Sequence, residues 1–162
     1  MKRLLLVFGA QELGRDPLSL AWVDCRLQTE LLALRRRGGV LISAGSPGPE
    51  VLAEMIAVTL GVSVVAYLPS GERRVDGHVR TRWTERTLSA GGAAVARRDQ
   101  ALMERAVEVR DGGGAVEVIA FLVVGASSRS SSLTRTRLAE AAGIPVRVWT
   151  WGAEVERAVA AE

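Results

Sequence analysis

Three turns built from small residues are the parts of this sequence best suited to bind a ligand. Small side chains let a ligand approach the backbone, and the second and third turns run into predicted helices. The first N–H groups of a helix and their partial positive charge favour phosphate. Taken singly, each turn is also compatible with a plain chain reversal or a helix cap. Taken together they predict one phosphate-binding site made by Gly9, Ala10, Gly45, Ser46, Gly48, Gly125, Ser127, Ser128 and Ser131.

Motifs that would specify a standard cofactor or catalytic centre are missing. The sequence contains neither the dinucleotide motif G-x-G-x-x-G after its first predicted strand nor the phosphate loop G-x-x-x-x-G-K-[ST]. His78 is the single histidine and Cys25 the single cysteine. A zinc site is therefore not expected, and no G-x-S-x-G turn supports a serine triad that uses His78. We predict that the protein needs neither a cofactor nor a metal.

The candidate turns are positioned by an alternation of strands and helices. Continuous apolar runs bounded by glycine, proline or serine are typical of strands buried on both faces, and they occur at Leu4–Phe8, Val40–Ile42, Val62–Leu68, Val116–Val124 and Ile144–Trp151. Apolar residues at helical spacing include Leu20, Val23, Leu27, Leu31 and Leu34. Further helices are predicted at Pro49–Leu60, Ala93–Arg110, Ser132–Ala142 and Ala153–Ala161.

This order predicts an α/β fold: a single Rossmann-like domain over residues 1–162, with a mainly parallel sheet flanked by helices on both faces. The first strand should lie near the centre of the sheet. The carboxyl ends of parallel strands form the edge where ligands bind in such sheets, so the three turns should meet there. The stretch Ser70–Gly92 is polar and rich in arginine, and we interpret it either as a lid or as a surface excursion.

Charge and hydropathy limit the partners. Twenty-one basic and 18 acidic residues leave a net charge of +3, which is too small an excess to require nucleic acid. The first apolar run stops after Phe8, too early for a secretory signal, and no segment approaches the roughly 20 apolar residues of a membrane span. We expect a cytoplasmic protein that does not bind membranes.

Three blocks of the sequence resemble the SLOG superfamily of Rossmann-like domains, which includes the LONELY GUY phosphoribohydrolases, once described as lysine decarboxylases, and DNA-processing protein A. The first block is Val40–Glu54, VLISAGSPGPEVLAE. The second is Arg97-Arg98-Asp99 followed by Leu102-Met103. The third is Val118–Val146, with Gly125 and its serine-rich turn. Two departures stand out: the hydrolases' P-G-G-x-G-T-x-x-E motif lacks its second glycine and its glutamate here, and Asp99 replaces the more usual asparagine.

The resemblance implies a role for Arg98 and leaves three functions open. Arg98 matches the family's ligand-facing arginine and would clamp a phosphate, although a solvated helix position fits it equally well. The first function is binding of a nucleotide-related ligand as a sensor or carrier. The second is hydrolysis of a nucleoside 5′-monophosphate, which requires a substitute carboxylate from Glu50 or Glu54. The third is binding of single-stranded DNA, favoured by Trp83 within the arginine-rich stretch.

The resemblance also suggests self-association. We expect a homodimer or a larger homo-oligomer, in which a two-fold interface hides part of the exposed apolar surface.

Overall fold

The computed structural model describes residues 1–69, 73–75, 92–125 and 130–152, with the backbone alone for 73–75. Within these ranges six strands form one sheet in the order β4-β3-β2-β1-β5-β6. Every neighbouring pair is parallel except β3 and β4, which are antiparallel. The strands are β1 (Arg3–Gly9), β2 (Val40–Ser43), β3 (Ser63–Tyr67), β4 (Arg73–Val75), β5 (Ala115–Val123) and β6 (Val146–Trp151).

Four helices in the described ranges cover the two faces of this sheet. They are α1 (Pro17–Arg36), α2 (Pro49–Leu60), α3 (Gly92–Asp111) and α4 (Ser131–Ala141). Buried residues of α1 and α2, such as Leu27 and Ala53, pack with Val7 and Phe121 in one core cluster. Those of α3 and α4 pack on the opposite face, in a cluster that includes Phe8. The sheet is therefore enclosed on both sides, which explains why its central strands are mostly apolar.

The predicted α/β architecture is confirmed. The five predicted strands lie in one sheet, parallel to one another, and β1 lies inside the sheet between β2 and β5. The helices α2, α3 and α4 agree with the predicted segments to within one residue at each end. The predicted helix at 153–161 falls outside the described residues.

Two details differ from the prediction. The arginine-rich stretch contains a short strand, β4, which adds to the sheet as an antiparallel edge. Leu20, expected on the buried face of α1, is 40% exposed. At the start of α1 the buried positions are Ser19 and Val23, and Leu20 lies about 100° from Ser19 and about 60° from Val23 around the helix axis.

None of the helices in the described ranges is both long enough and apolar enough to cross a bilayer.

Candidate functional site

The carboxyl edge of the sheet contains a point where the chain reverses its direction of winding. From β1 the chain passes through α1 to β2 on one flank, whereas β5, on the other flank of β1, is followed by α4 on the opposite face. The segments that follow β1 and β5 therefore leave the sheet on opposite faces. In sheets of this kind such a switch point is the usual ligand site.

Two of the predicted glycines allow the turns after β1 and β2 to come together. A Cβ atom on Gly9 would lie 2.4 Å from Cγ of Pro49, at the start of α2. A Cβ on Gly48 would lie 3.0 Å from the carbonyl oxygen of Ala10. Gly48 also has φ +95°, a backbone conformation that residues with a side chain rarely adopt. The small residues after β1 and β2 thus serve close packing of the two turns against each other.

A buried ion pair joins α2 to α4 beneath this edge. The Arg135 guanidinium donates through Nη2 to Oε1 of Glu50, and both side chains are fully buried. The other Glu50 oxygen, Oε2, accepts a hydrogen bond of 2.8 Å from the backbone N–H of Ser46. Arg135 also lies over the ring of Phe8, with 5.2 Å from Cζ to the ring centroid. The pair therefore fixes the β2 turn, the end of β1 and the start of α4 relative to one another.

The same guanidinium is incompletely satisfied. Within the described residues, Nε and Nη1 of Arg135 are buried and have no hydrogen-bond partner. The second nearby acid is Asp99, whose Oδ1 is 3.9 Å from Nη1, within ion-pair range but beyond a hydrogen bond. Burying a guanidinium of which two nitrogens make no hydrogen bond costs free energy. The stability of the buried Arg135 therefore depends strongly on the negative charge of Glu50.

Arg98 is an interior residue. It is 4% exposed, so the solvated alternative considered for it is wrong. Its Nη1 donates to the carbonyl oxygen of Ala44 at 2.6 Å, and its Nε donates to Asp99 at 2.7 Å. These bonds hold α3 against the turn after β2. The Arg98 guanidinium is thus engaged inside the protein through Nε and Nη1.

Glu54, the other candidate carboxylate, also lies inside the protein. It is fully buried, and its Oε1 accepts a hydrogen bond of 2.7 Å from the Ser43 hydroxyl. The Ser43 oxygen in turn accepts the backbone N–H of Gly45 at 3.0 Å. Gly45 has φ +72°. Glu54 thus supports the shape of the β2 turn from below.

The helix starts at this edge differ in how they are capped. Asp16 caps α1: its Oδ1 accepts the N–H groups of Leu18 and Ser19, and its Oδ2 accepts the Ser19 hydroxyl. The Ser19 hydroxyl is the main cause of the lowered pKa of Asp16, followed by the Ser19 N–H. The start of α2 contains one acid, Glu50. The start of α4 has no acid in its first turn, and its N-cap residue, Ser130, makes no capping hydrogen bond through its side chain.

The three helix starts therefore differ in their capacity to bind an anion. The α1 start is already occupied by a carboxylate, and the α2 start has its own carboxylate held by Ser46 and Arg135. The start of α4, next to the switch point, keeps its N–H groups and its positive end free of any capping side chain among the described residues. Of the starts of α1, α2 and α4, it is the one with neither an acidic residue in its first turn nor a capping side chain among the described residues.

Most of the predicted site residues belong to this region. Gly9, Ala10 and Gly48 lie where β1 approaches the start of α2. Gly45 and Ser46 form the β2 turn, which Glu50 contacts through Ser46 and Arg98 contacts through Ala44. Gly125 follows β5 with φ +71°, and Ser131 opens α4. Ser127 and Ser128 lie outside the described residues.

The sequence prediction missed Arg135 and Asp16. Nothing in the pattern of α4 marks Arg135 as buried, because charged residues alternate with small ones along that helix. The signal for Asp16 was present, since an aspartate followed by proline is a common start of a helix.

Comparison with known proteins adds one structural neighbour. No family model matches the chain, and no curated protein matches it in sequence. The solved structure of DNA processing protein A from Helicobacter pylori, described for its single-stranded DNA binding mode, is similar with a TM-score of 0.56. The two chains are 14% identical, and the match covers 90% of this chain and 64% of the neighbour.

The comparison agrees with the described sheet and helices at the level of fold. This chain has a Rossmann-like α/β fold of the kind found in DNA processing protein A. It spans less than two thirds of that protein, so the likeness concerns the common Rossmann-like body.

Proposed function

We propose that this protein binds a phosphate-bearing, nucleotide-related ligand at the carboxyl edge of the sheet, as a sensor or carrier. The observation that supports the proposal most strongly is the start of α4 beside the switch point between β1 and β5, which no side chain of the described residues caps. A phosphate there accepts hydrogen bonds from the first N–H groups of the helix and meets its positive end. The nucleoside part of the ligand would lie at the carboxyl end of β1.

The buried charges below the edge support this arrangement without competing for the ligand. Arg135 holds Glu50, and Arg98 holds Asp99, so each of these carboxylates faces an internal cation. Arg98 contributes through its hydrogen bond to the β2 turn. We assign the role of phosphate donor mainly to backbone N–H groups, with Arg98 as a secondary contact.

Binding is favoured over hydrolysis because of the state of the two candidate carboxylates. Cleavage of an N-glycosidic bond requires a carboxylate that faces the reacting sugar. Glu50 has both oxygens engaged inside the protein, and Glu54 is fully buried against Ser43. In the part of the chain that the structure describes, neither is available for that role.

Single-stranded DNA is the second candidate ligand, and the structural neighbour favours it. A phosphodiester would use the same helix start as a nucleotide phosphate. Trp83, the aromatic residue proposed to stack on bases, lies outside the described residues. The two ligands differ in a measurable way, since a DNA site loses affinity steeply as salt rises and gains it with the length of the strand.

The test uses a charge placed at the proposed phosphate site. Ser131→Glu puts a carboxylate in the first turn of α4, where it stabilises the helix but repels a phosphate. The matched control is Leu18→Glu, which puts the same charge in the first turn of α1, at a residue that is 75% exposed. Calorimetry would compare nucleoside monophosphates, the bare nucleosides and a short oligothymidylate with each protein.

We expect at least one monophosphate to bind at least about tenfold more tightly than its nucleoside, because hydrogen bonds to a charged group contribute about 1.5–3 kcal/mol each. Ser131→Glu should lose that preference, and Leu18→Glu should keep it. Equal affinity for both forms would contradict the proposal. Tighter binding of the oligothymidylate than of every monophosphate would replace it with the DNA function, and release of free base over hours would replace it with the hydrolase function.

A further inference from the structure

Strand β6 forms an edge of the sheet with unused backbone hydrogen-bonding groups. Pairing with β5 uses the odd-numbered residues of this segment: Pro145 accepts from Val118, and Trp151 accepts from Val124. Because strand backbones alternate, the N–H and C=O groups of Val146, Val148 and Thr150 point away from β5. Within the described chain these groups meet no neighbouring strand.

The residue types of β6 do little to protect this edge. Its sequence, Val-Arg-Val-Trp-Thr-Trp, consists of strand-forming residues with one charge, and Val148 at its middle is 42% exposed. In native proteins a lysine, a proline, a bulge or a very short strand usually prevents a free edge strand from pairing with another chain. The opposite edge of this sheet fits that rule, since β4 has three residues.

We propose that β6 is the dimer interface of this protein, and that two copies pair through antiparallel β6 strands into one continuous sheet. The two-fold axis would pass beside Val148, so that Val148 faces Val148 of the second copy. Val146 would then face Thr150 in the two symmetric positions. These three facing pairs would exchange about six main-chain hydrogen bonds, two for each pair.

This register is complementary in its side chains, which is the reason for choosing a second copy as the occupant. On the α1 face, Arg147 of each copy lies opposite Trp149 of the other, in a closely spaced pair. The same two residue types already make a cation–π contact within one chain, at 5.6 Å from Cζ to the ring centroid. On the other face, two valines meet at the axis, and facing β-branched residues stabilise strand pairs.

The arginines of the two copies do not oppose the pairing. Each Arg147 is held by Glu30 of α1, at 2.8 and 2.7 Å, and by Glu117 of β5. The positive charge at the interface is thus neutralised within each copy before the copies meet. The inference is independent of the proposed ligand, whose site lies at the carboxyl edge rather than along β6.

The test combines mass with hydrogen exchange. Val148→Lys would put two lysines face to face at the axis, and like charges directly opposite destabilise a strand pair. Val58→Lys on α2 is the matched control, because Val58 is 41% exposed and lies on another surface. Sedimentation or light scattering gives the mass at micromolar protein, and exchange of the Val148 and Thr150 amides reports on the edge itself. Circular dichroism verifies that each variant is folded.

The wild-type protein and Val58→Lys should have twice the chain mass of 17.3 kDa, with protected amides at Val148 and Thr150. Folded Val148→Lys should dissociate several-fold more readily, because the valine pair is lost and two like charges face each other. A monomeric wild type, or a dimer that Val148→Lys leaves intact, would overturn the inference. Protection of these amides in a monomer would also overturn it, since another part of the same chain would then cover the edge.

Discussion

Removal of the Glu50 charge is the perturbation with the clearest expected effect on this fold. Glu50→Gln keeps the size and shape of the side chain but leaves the fully buried Arg135 guanidinium without its main counter-charge. Breaking a buried pair by removing one partner costs about 3–5 kcal/mol. We expect the lower end of this range, because Asp99 remains 3.9 Å from Nη1 and compensates in part.

A loss of about 3 kcal/mol corresponds to a fall of about 6–12 °C in the melting temperature of a domain of this size. Urea unfolding gives the free energy directly, and a double-mutant cycle with Arg135→Met isolates the pair. The double variant should be more stable than the sum of the two single losses predicts, because it no longer buries an unpaired cation.

Arg105→Gln serves as the control for this cycle. Arg105 forms a surface pair with Glu108 in which Arg105 is half-buried and Glu108 is exposed to solvent, so its loss should cost no more than about 1 kcal/mol. If Glu50→Gln costs as little as this control, then Arg135 has another source of compensation and our account of the buried pair is wrong.

Three further outcomes follow from the structure. Gly9→Ala should destabilise the domain by about 1–3 kcal/mol in urea unfolding, since its Cβ would lie 2.4 Å from Cγ of Pro49; an unchanged midpoint would refute that close approach. Asp16→Ala should lower the melting temperature more than Asp16→Asn, which can still cap α1. Because the folded pKa of Asp16 is lowered, its ionic advantage over asparagine should exist above pH 3.8 and disappear as pH falls through the folded pKa; a constant difference would contradict this. Phe121→Ala should lower the free energy of unfolding by about 3–5 kcal/mol. It should also change the fluorescence of Trp22, because the centroids of the two rings are 5.7 Å apart; unchanged fluorescence would argue against that contact.

The sequence predicted the sheet well because parallel strands buried on both faces leave a plain signal. Every residue of β1 from Leu4 to Gly9 is buried, and that run is continuously apolar until its glycine. Strand β4 carries no such signal, since an antiparallel edge strand of three residues needs no apolar pattern. Its existence depends on β3, with which it pairs, rather than on its own residues.

The candidate site was predictable in its turns but not in its charges. Glycines mark positions where backbones approach closely, and Gly9 and Gly48 fulfil that expectation. Glu50 and Arg135 are 85 positions apart in the sequence, and no local sequence pattern indicates that they pair. A charged residue in a helix is solvated by default, so burial of Arg135 and Arg98 becomes evident only when the facing carboxylates and carbonyls are in place.

Backbone amide mapping by NMR tests the central proposal most directly. A nucleoside monophosphate is added to the protein, and the shifts of amides at the starts of α1, α2 and α4 are followed. We predict large, saturable shifts at Ser131 and Ser132 and at Gly9 and Ala10, with little change at Ser19, where Asp16 already occupies the helix start. Shifts confined to other surfaces, or equal shifts at the start of α1, would contradict the assignment of the phosphate to α4.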